Sequence, residues 1–337
     1  MRCVIGVDLG GTNVRAGAFY EDGSPAGQVF SQPSKAQEGT DAILLSLGDT
    51  ICAAIEAAQI KPESIGIAIP GHIDDVRGVV RWAPNFGKLV DGVFQNWLDV
   101  PIREPLSRRT NIPMTLANDA NAAALGEYRY GSGKNRATCL VMFTLGTGVG
   151  GGVVLASGSV HGVIHAPVVL LGGNKGGAEL GHSMITHGGL DCTSGSYGAL
   201  EAYCQRDAIV RRAVHRLQRG RTSSLRDLCK GDLSAITPLM LTEAAQGGDD
   251  VAIEVWTEVG TYLGVGIATM INIFAPEVVA VGGQIAKAGE LILGPARKAA
   301  INVAIPSLFA DTQILQAEQI DDAGMLGAAA LAAGILT

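Results

Sequence analysis

The chain of 337 residues lacks the features that would assign it at once to several common classes of protein. Its six cysteines form no C-x-x-C pair, which favours reduced thiols in a cytoplasm over a disulfide framework. It has no basic tract, and a net charge of −7 with only 17% charged residues argues against a nucleic-acid partner. Its least charged stretch, residues 262–276, falls short of the roughly 20 apolar residues that a membrane span needs. We therefore expect a cytoplasmic globular protein without a nucleic-acid or membrane partner.

The chain also lacks two well-known glycine signatures of nucleotide-binding proteins. It contains no G-x-x-x-x-G-K-[ST] sequence, which excludes a P-loop enzyme. Gly146, Gly148 and Gly151 do match G-x-G-x-x-G, but a dinucleotide-binding fold needs an acidic residue about 20 positions later to hold the ribose. Residues 153–178 contain no Asp or Glu, so the dinucleotide interpretation fails.

Strand patterns alternate with helix patterns along the chain, and an apolar content of 47% is sufficient for a large core, which predicts an α/β protein. A strand at residues 3–9 ends in Gly-Gly-Thr and leads into a second strand, and residues 139–156 repeat this plan around Leu-Gly-Thr-Gly. We expect two lobes that each open on such a hairpin, with a hinge near residues 116–119. Helices are predicted at 41–58, 201–217, 239–273 and 325–336, and further strands at 64–71 and 277–285.

Both glycine turns have the chemistry of a phosphate site. Missing Cβ atoms let an anion approach the backbone N–H groups, and Thr12 and Thr147 add hydroxyl groups. The carboxylate of Asp8, just before the first turn, is a candidate ligand for hydrated Mg²⁺, which ordinarily takes one or two protein carboxylates. Plain hairpin geometry explains either turn equally well, so neither turn alone assigns a function.

Asn118 and Asp119 stand where a strand passes into an Ala-rich helix. One interpretation is a helix cap, because Asn and Asp are preferred N-cap residues. The other is catalytic, since phosphoryl transfer to a hydroxyl needs a base that accepts its proton, and Asp119 is the best-placed carboxylate. Other polar residues among apolar or glycine neighbours, of the kind that bind a polyol, are Asn85, Glu179, His182 and Glu201.

Together these segments resemble the ROK family of sugar kinases, and within it the ATP-dependent glucokinases, over nearly the full length of the chain. DLGGTNVR resembles the first phosphate motif of the family, and TLGTGVGGG resembles the second. APNF resembles the sugar-binding Asn segment, ANDANAAALGE the segment with the catalytic Asp, and AELGH the E-x-G-H sugar motif. NIFAPEVVAVGG resembles the stretch near the adenosine. Several motifs in the order of the family are far more specific than any one of them.

The resemblance implies a two-lobed, actin-like and hexokinase-like ATPase fold, with ribonuclease H-like α/β lobes and a cleft between them. It implies a small lobe at residues 1–117, to which a C-terminal helix at 322–337 returns, and a large lobe at 118–321. It also implies ATP and Mg²⁺ as cofactors, with Asp119 as the general base and Asp8 as the Mg²⁺ ligand. The residues implied to bind the hexose are Gly71, Asn85, Asn118, Asp119, Glu179, His182 and Glu201. Those implied to bind the nucleotide are Asp8, Gly10, Gly11, Thr12, Asn13, Arg15, Gly146, Thr147, Gly148, Gly282 and Gly283.

Two segments depart from the family pattern. The family carries zinc on the E-x-G-H histidine and three cysteines of C-x-C-G-x-x-G-C, where this chain has Cys192, Ser194 and Ala199. Because structural zinc needs about four ligands, we expect no zinc, and a loop held by packing and hydrogen bonds with Tyr197 as a candidate contact. The apolar residues 163–171 are insertion-like, and an extra strand, a lid element and an oligomer contact remain open for them.

The reaction implied by the resemblance is transfer of the γ-phosphoryl group of ATP to the 6-hydroxyl of glucose. N-acetylmannosamine, N-acetylglucosamine, fructose and allose are alternative acceptors, because they differ in few contacts. A sugar-sensing transcriptional regulator is an alternative from another class, since the family includes repressors. Those carry a helix-turn-helix domain ahead of the sugar lobes, and the early position of Asp8 argues against one here. We also expect a homodimer or homotetramer.

Overall fold

The computed structural model describes residues 1–134, 137–155, 167–173 and 176–334. These residues form two compact units. The first unit contains residues 1–134, 152–155, 167–173, 176–178 and 321–334, and the second contains residues 137–151 and 179–320. The last described segment of the chain therefore belongs to the same unit as the first.

Strands and helices alternate along the chain, which confirms the predicted α/β class. The strands are β1 (Cys3–Leu9), β2 (Asn13–Tyr20), β3 (Phe30–Pro33), β4 (Ser64–Ile69), β5 (His72–Asp74), β6 (Val79–Val90), β7 (Val93–Pro101), β8 (Met114–Asn118), β9 (Cys139–Leu145), β10 (Val149–Leu155), β11 (Val168–Val169), β12 (Val278–Gly282) and β13 (Gln313–Gln316). The α-helices are α1 (Thr40–Glu56), α2 (Arg103–Thr110), α3 (Asp119–Tyr130), α4 (Glu201–Cys204), α5 (Arg206–Gln218), α6 (Leu225–Leu228), α7 (Pro238–Gln246), α8 (Asp250–Phe274), α9 (Glu290–Val303), α10 (Pro306–Ala310) and α11 (Ala323–Ala332).

The main sheet of the first unit has the strand order β3-β2-β1-β4-β8. β1 and β2 form the antiparallel hairpin that the sequence predicts. β1, β4 and β8 are parallel neighbours, with Asp8 level with Ala68 and Ala68 level with Ala117. Parallel strands end at the same edge of a sheet. The turn after β1, the turn after β4 and the start of α3 therefore lie side by side, which is where ligands bind in sheets of this kind.

Helix α11 covers one face of this sheet at a distance that only glycine permits. A Cβ atom on Gly6 of β1 would lie 2.2 Å from the carbonyl oxygen of Met325, and one on Gly66 of β4 would lie 1.8 Å from that of Ala328. On the other face, buried residues of α1 such as Leu47 join those of β1 and β4 in one apolar core. Both faces of the sheet are thus buried, as its nearly continuous apolar strands require.

Helix α3 belongs to the first unit, whereas the sequence analysis began the second lobe at residue 118. The reason is its packing on α11. A Cβ atom on Gly126 would lie 2.2 Å from the carbonyl oxygen of Ala323, and one on Gly327 would lie 1.7 Å from that of Ala122. Small residues let the two helices meet backbone against backbone, so the first unit extends past α3.

A second sheet in the first unit, with the order β5-β6-β7, is absent from the predictions. β6 and β7 form a hairpin that closes through Asp91 and Gly92, whose φ angles are 50° and 79°. The register of the pair shifts between Ala83 and Gly87. This irregularity interrupts the alternation by which a strand is recognised in a sequence.

The remaining sheet has the order β11-β10-β9-β12-β13, and β9, β12 and β13 are parallel within the second unit. Helices α8 and α9 pack closely beside each other there. A Cβ atom on Gly260 would lie 2.4 Å from the carbonyl oxygen of Ile292, and one on Gly264 would lie 2.3 Å from that of Ala296. In the second unit, as in the first, glycine therefore allows two helices to pack closely.

Two predicted helices are interrupted. Gln205, with a ψ of 158°, separates α4 from α5 within the predicted helix at 201–217. The predicted helix at 239–273 divides at Gly248, whose φ is 86°, and Asp249 then caps α8 by accepting the N–H of Ala252 at 3.0 Å. In both places a residue with a non-helical backbone conformation interrupts the helix although the apolar pattern continues.

The insertion-like segment is described only in part. Residues 163–166 lie outside the described residues, and Val168–Val169 form the short strand β11, which pairs with the end of β10. Within the described ranges, no helix is both long enough and apolar enough to cross a membrane.

Candidate active site

The first glycine turn follows β1 at the edge where three parallel strands end. Gly10 donates its N–H to the carbonyl oxygen of Asn13 at 2.9 Å, which closes the turn. Gly11, Thr12 and Asn13 are exposed, so this end of the turn is open to solvent. Asp8 is partly buried at the last but one position of β1. Asp8 and the four residues of the turn thus lie together at this edge of the sheet.

The structure separates the two roles that the sequence left open for Asn118 and Asp119. Asn118 is the N-cap of α3, because its Oδ1 accepts the N–H of Asn121 at 3.1 Å. Its Nδ2 donates to the carbonyl oxygen of Gly71 at 3.0 Å, which ties the end of β8 to the turn after β4. Asp119 Oδ1 accepts the N–H of Ala120 at 2.8 Å. Since Asn118 caps the helix, the carboxylate of Asp119 is not needed for that role.

The carboxyl groups at this edge have raised pKa values. Burial, followed by the negative charge of Asp119, raises the pKa of Asp8 from 3.8 to about 6; Asp322 adds to the effect and Arg15 opposes it. Burial also raises the pKa of Asp119 above its usual range, although the hydrogen bond from the N–H of Ala120 acts in the opposite direction. A carboxylate with a raised pKa is a stronger base, as a general base working near neutral pH requires. Perturbed pKa values of this kind are typical of functional sites.

The same edge fits a divalent cation. Asp8 lies close enough to Asp119 and Asp322 for their charges to raise its pKa, so ionising Asp8 adds to a concentration of negative charge. A cation would relieve that repulsion, and Mg²⁺ binds through one or two carboxylates while keeping most of its water. Asp8, at the end of β1 and beside the glycine turn, is the residue best placed to hold it.

Arg15 is held by the start of α11. Its guanidinium donates to the carbonyl oxygen of Asp321 at 2.5 Å and to the carboxylate of Asp322 at 2.7 Å. Arg15 is also opposite Asp8 in the β1–β2 hairpin. The structure thus adds Asp322 to the site, a residue that the sequence analysis did not select.

Asn85 and Gly71, two residues predicted to bind the sugar, both lie at β6 in the first unit. The φ of Asn85 is 65°, and its N–H donates to Oδ1 of Asn96 on β7 at 3.0 Å. Gly71 has a φ of 100°, and a Cβ atom there would lie 2.2 Å from the carbonyl oxygen of Trp82. Gly71 therefore packs against Trp82 and Ala83 of β6, which precede Asn85 by three and two residues. Asn96 was not predicted; it supports the left-handed conformation that exposes the Asn85 side chain.

The second glycine turn joins β9 and β10 in the second unit. Gly146 donates its N–H to the carbonyl oxygen of Gly148 at 2.9 Å, and Arg206 at the start of α5 donates its N–H to that of Gly146 at 2.9 Å. Gly283, with a φ of 82°, follows β12, and a Cβ atom there would lie 2.3 Å from the carbonyl oxygen of Leu145. The structure therefore brings the predicted Gly146–Gly148 turn and the Gly282-Gly283 pair to one edge of the sheet.

The E-x-G-H segment packs on the start of β10. A Cβ atom on Gly181 would lie 1.8 Å from the carbonyl oxygen of Val149, so only glycine fits there. Glu201, the first residue of α4, accepts the N–H of Val149 on its Oε2 at 3.0 Å. Glu179 and His182 are exposed at the two ends of the segment. Gly181 and Glu201 thus both contact Val149, the first residue of β10, which directly follows the second glycine turn.

The donor set near His182 does not fit a structural zinc ion. Among the described residues, His182, Cys192 and Glu201 are grouped with ligand atoms within 4.8 Å of one another. Structural zinc takes four ligands, which are nearly always cysteine and histidine. Here three are offered, only one is a cysteine, and Glu201 Oε1 already accepts the hydroxyl of Thr193 at 2.7 Å.

The fold matches that of ROK sugar kinases of known structure. The chain belongs to the ROK family, whose sequence model matches residues 4–335. It is 35% identical to the glucokinase of Thermotoga maritima, over 97% of this chain and 96% of that one. A ROK family glucokinase from Streptomyces griseus, solved in complex with glucose and AMPPNP, is 33% identical with a TM-score of 0.78, over 98% of this chain and 99% of that one. A more distant relative is the xylose repressor of Caldicellulosiruptor bescii, 28% identical over 97% of this chain and 77% of the repressor.

Proposed function

We propose that the protein is an ATP-dependent glucokinase, which transfers the γ-phosphoryl group of ATP to the 6-hydroxyl of glucose. Near full-length similarity to glucokinases supports this assignment. The observation that carries it in the structure is the state of Asp119. Its carboxylate is released from helix capping by Asn118, has a raised pKa, and follows β8 at the edge where the first glycine turn follows β1.

The proposed reaction uses Asp119 as the general base. As the oxygen of the 6-hydroxyl attacks the γ-phosphorus, Asp119 accepts the proton, and the bond from the γ-phosphorus to the bridging oxygen of ADP breaks. The backbone N–H groups of the two glycine turns hold the phosphates. The residues proposed to hold the hexose are Gly71, Asn85, Asn118, Glu179, His182 and Glu201.

Mg²⁺, when bound, neutralises charge on the phosphates of ATP. We assign Asp8 as its protein ligand, because the pKa of about 6 indicates an ionised form that a cation would stabilise. Arg15 balances the remaining negative charge through its pair with Asp322 at 2.7 Å. We further propose a cytoplasmic location, a role in glucose metabolism, no nucleic-acid partner and a homodimeric or homotetrameric assembly.

The test is ADP release with Mg-ATP against glucose, mannose, fructose, allose, N-acetylglucosamine and N-acetylmannosamine. We expect the highest kcat/KM with glucose. Asp119→Asn should lower kcat by about 10²–10⁴-fold, the usual contribution of a general base, while the variant still binds glucose. A higher kcat/KM for another sugar would show that this sugar is the preferred acceptor, and the proposed phosphoryl transfer would still hold. If the parent protein binds a sugar without turnover, the result would instead favour a sugar-sensing regulator, as the similarity to the xylose repressor would allow.

A further inference from the structure

This inference rests on the proposed function and concerns how the sugar-binding residues of the second unit are held in place. The loop that joins the E-x-G-H segment to α4, residues 183–200, is folded on itself by backbone hydrogen bonds. Gly198 donates to the carbonyl oxygen of Leu190 at 2.8 Å, and Cys192 donates to that of Ser196 at 2.8 Å. These bonds fix the shape of the loop, but they do not fix its position against α4 and β10.

The carboxylate of Glu201 supplies that connection. Its Oε1 accepts the hydroxyl of Thr193 at 2.7 Å, and its Oε2 accepts the N–H of Val149 at 3.0 Å. We call this arrangement of Thr193, Glu201 and Val149 the Glu201 bridge. Glu201 is only 8% exposed, and hydrogen bonds to a buried carboxylate are short and strong because charge assists them. If either Thr193 or Val149 is lost as a donor, one oxygen of this buried carboxylate has no hydrogen bond. The position of Glu201 therefore depends on both donors.

Cys192 fills the space between Glu201 and His182. Its Sγ lies 3.6 Å from Glu201 Oε1 and 3.7 Å from Nδ1 of His182. Thr193 is the next residue along the chain, so the bond between its hydroxyl and Glu201 also holds Cys192 against both side chains. The spacing between the two proposed sugar-binding residues therefore depends on a hydrogen bond of Thr193, a residue at a variable position of the loop motif.

Tyr203 provides a second attachment of the same loop to α4. Its Oη accepts the N–H of Leu190 at 2.9 Å, and a Cβ atom on Gly189 would lie 2.1 Å from that oxygen. The Tyr203 ring is itself fixed, since its centroid lies 4.4 Å from that of Tyr262 and 5.8 Å from the guanidinium carbon of Arg212. The loop is thus attached to α4 at Glu201 and, two residues later, at Tyr203.

We infer that Thr193 and Tyr203 are positioning residues for hexose binding, and that their hydrogen bonds hold Glu201 and His182 in place without a zinc ion. The donor set supports this directly: the three ligand atoms that the described part of the chain offers, with one cysteine among them, do not make a structural zinc site, and Glu201 Oε1 already accepts the Thr193 hydroxyl. Thr193 is exposed, and Thr193→Val keeps its shape while removing the hydroxyl, so the fold of the variant is expected to survive.

The experiment compares Thr193→Val, Thr193→Ser and Tyr203→Phe with the parent. Loss of one hydrogen bond to the carboxylate should raise KM for glucose about tenfold in Thr193→Val, with kcat and KM for ATP changed less than about twofold. Thr193→Ser, which keeps the hydroxyl, should restore the parent KM. Tyr203→Phe, which keeps the stacked ring, should raise KM for glucose about threefold. Elemental analysis of the parent after dialysis against zinc should show substoichiometric metal.

Two readouts are independent of catalysis. Amide hydrogen exchange should accelerate at Leu190 in Tyr203→Phe, because that amide loses its acceptor. It should also accelerate at Val149 in Thr193→Val, because its acceptor Glu201 is no longer held by Thr193. A parent KM in Thr193→Val, or one tightly held zinc per chain, would overturn the inference. If the parent phosphorylates no sugar, the proposed function fails, and unchanged exchange at both amides would then refute the positioning role separately.

Discussion

The two glycine turns have the same backbone plan and different surroundings. Each joins the two strands of a hairpin and is closed by a backbone hydrogen bond of 2.9 Å, from Gly10 to Asn13 in the first unit and from Gly146 to Gly148 in the second. The first turn follows a carboxyl group whose pKa is raised to about 6. The second turn is followed by Val149, which donates its N–H to the buried carboxylate of Glu201.

This difference shows that one turn motif can support two kinds of chemistry. Around the first turn, ionised Asp8 is unfavourable until a cation or a proton arrives, so the local energy responds to Mg²⁺ and to pH. Around the second turn, Glu201 accepts hydrogen bonds from Thr193 and Val149, so we expect the local structure to be rigid and connected to the loop at residues 183–200. The first turn is therefore suited to managing charge, and the second to positioning substrate.

The largest effect on stability should come from removing the charge beside the first turn. In the folded state the pKa of Asp8 is raised from 3.8 to about 6, so its ionised form opposes folding. That penalty is complete well above pH 6, decreases as the pH falls through 6, and is lost only below the unfolded-state pKa of 3.8, where the carboxyl is protonated in both states. Asp8→Asn should raise the free energy of unfolding by up to ~3 kcal/mol at pH 7.5 and by much less at pH 4, while activity falls.

Urea unfolding at several pH values measures this difference. Asp91→Asn, in the exposed turn between β6 and β7, is the matched control and should change stability by less than about 0.5 kcal/mol at every pH. Mg²⁺ with a nucleotide should raise the melting temperature of the parent more than that of Asp8→Asn. A destabilised Asp8→Asn at neutral pH would contradict the electrostatic interpretation of the first turn.

The second turn offers a matched pair of substitutions. A Cβ atom on Gly148 would lie 2.6 Å from Glu201 Oε2, whereas one on Gly146 would meet nothing within 4 Å. Gly148→Ala should therefore displace Glu201 and cost about 1–3 kcal/mol of unfolding free energy, as overpacking commonly does. Gly146→Ala should stay within about 0.5 kcal/mol of the parent. Equal losses in denaturant titrations would show that Glu201 moves freely, and the rigid character assigned to the second turn would be wrong.

Local order in the sequence explains what could be predicted of this site. The glycine turns follow apolar strands, so the hairpin around each turn was predicted. The lobe boundary implied at residue 118 separated Asp8 from Asp119, so their approach at one edge of the parallel strands was not predicted. The choice between Asn118 and Asp119 as the cap could not be made from sequence. It depends on where α3 begins to within one residue, which is less than the uncertainty of any helix boundary.

Contacts between distant residues explain what could not be predicted. Arg15 meets Asp322 across 307 positions, and Asn85 is held by Asn96 only because β6 and β7 pair around a bulge. Thr193 occupies a variable position inside a loop motif, so its bond to Glu201 has no signature of its own. Supporting residues of this kind become visible only when the chain is folded.

The smallest effect on stability should come from a side chain that the two turns share, an exposed threonine. Thr12 and Thr147 are both exposed, so Thr12→Val and Thr147→Val should each change the free energy of unfolding by less than about 0.5 kcal/mol. Each should nevertheless raise KM for ATP roughly 5–10-fold, because a hydroxyl that bonds a phosphate is lost, and a serine at the same position should restore it. Steady-state kinetics at saturating glucose measure this directly. If only one variant raises KM for ATP, the two threonines do not have the same role. The turn whose variant has no effect then contributes only backbone N–H groups to the phosphates.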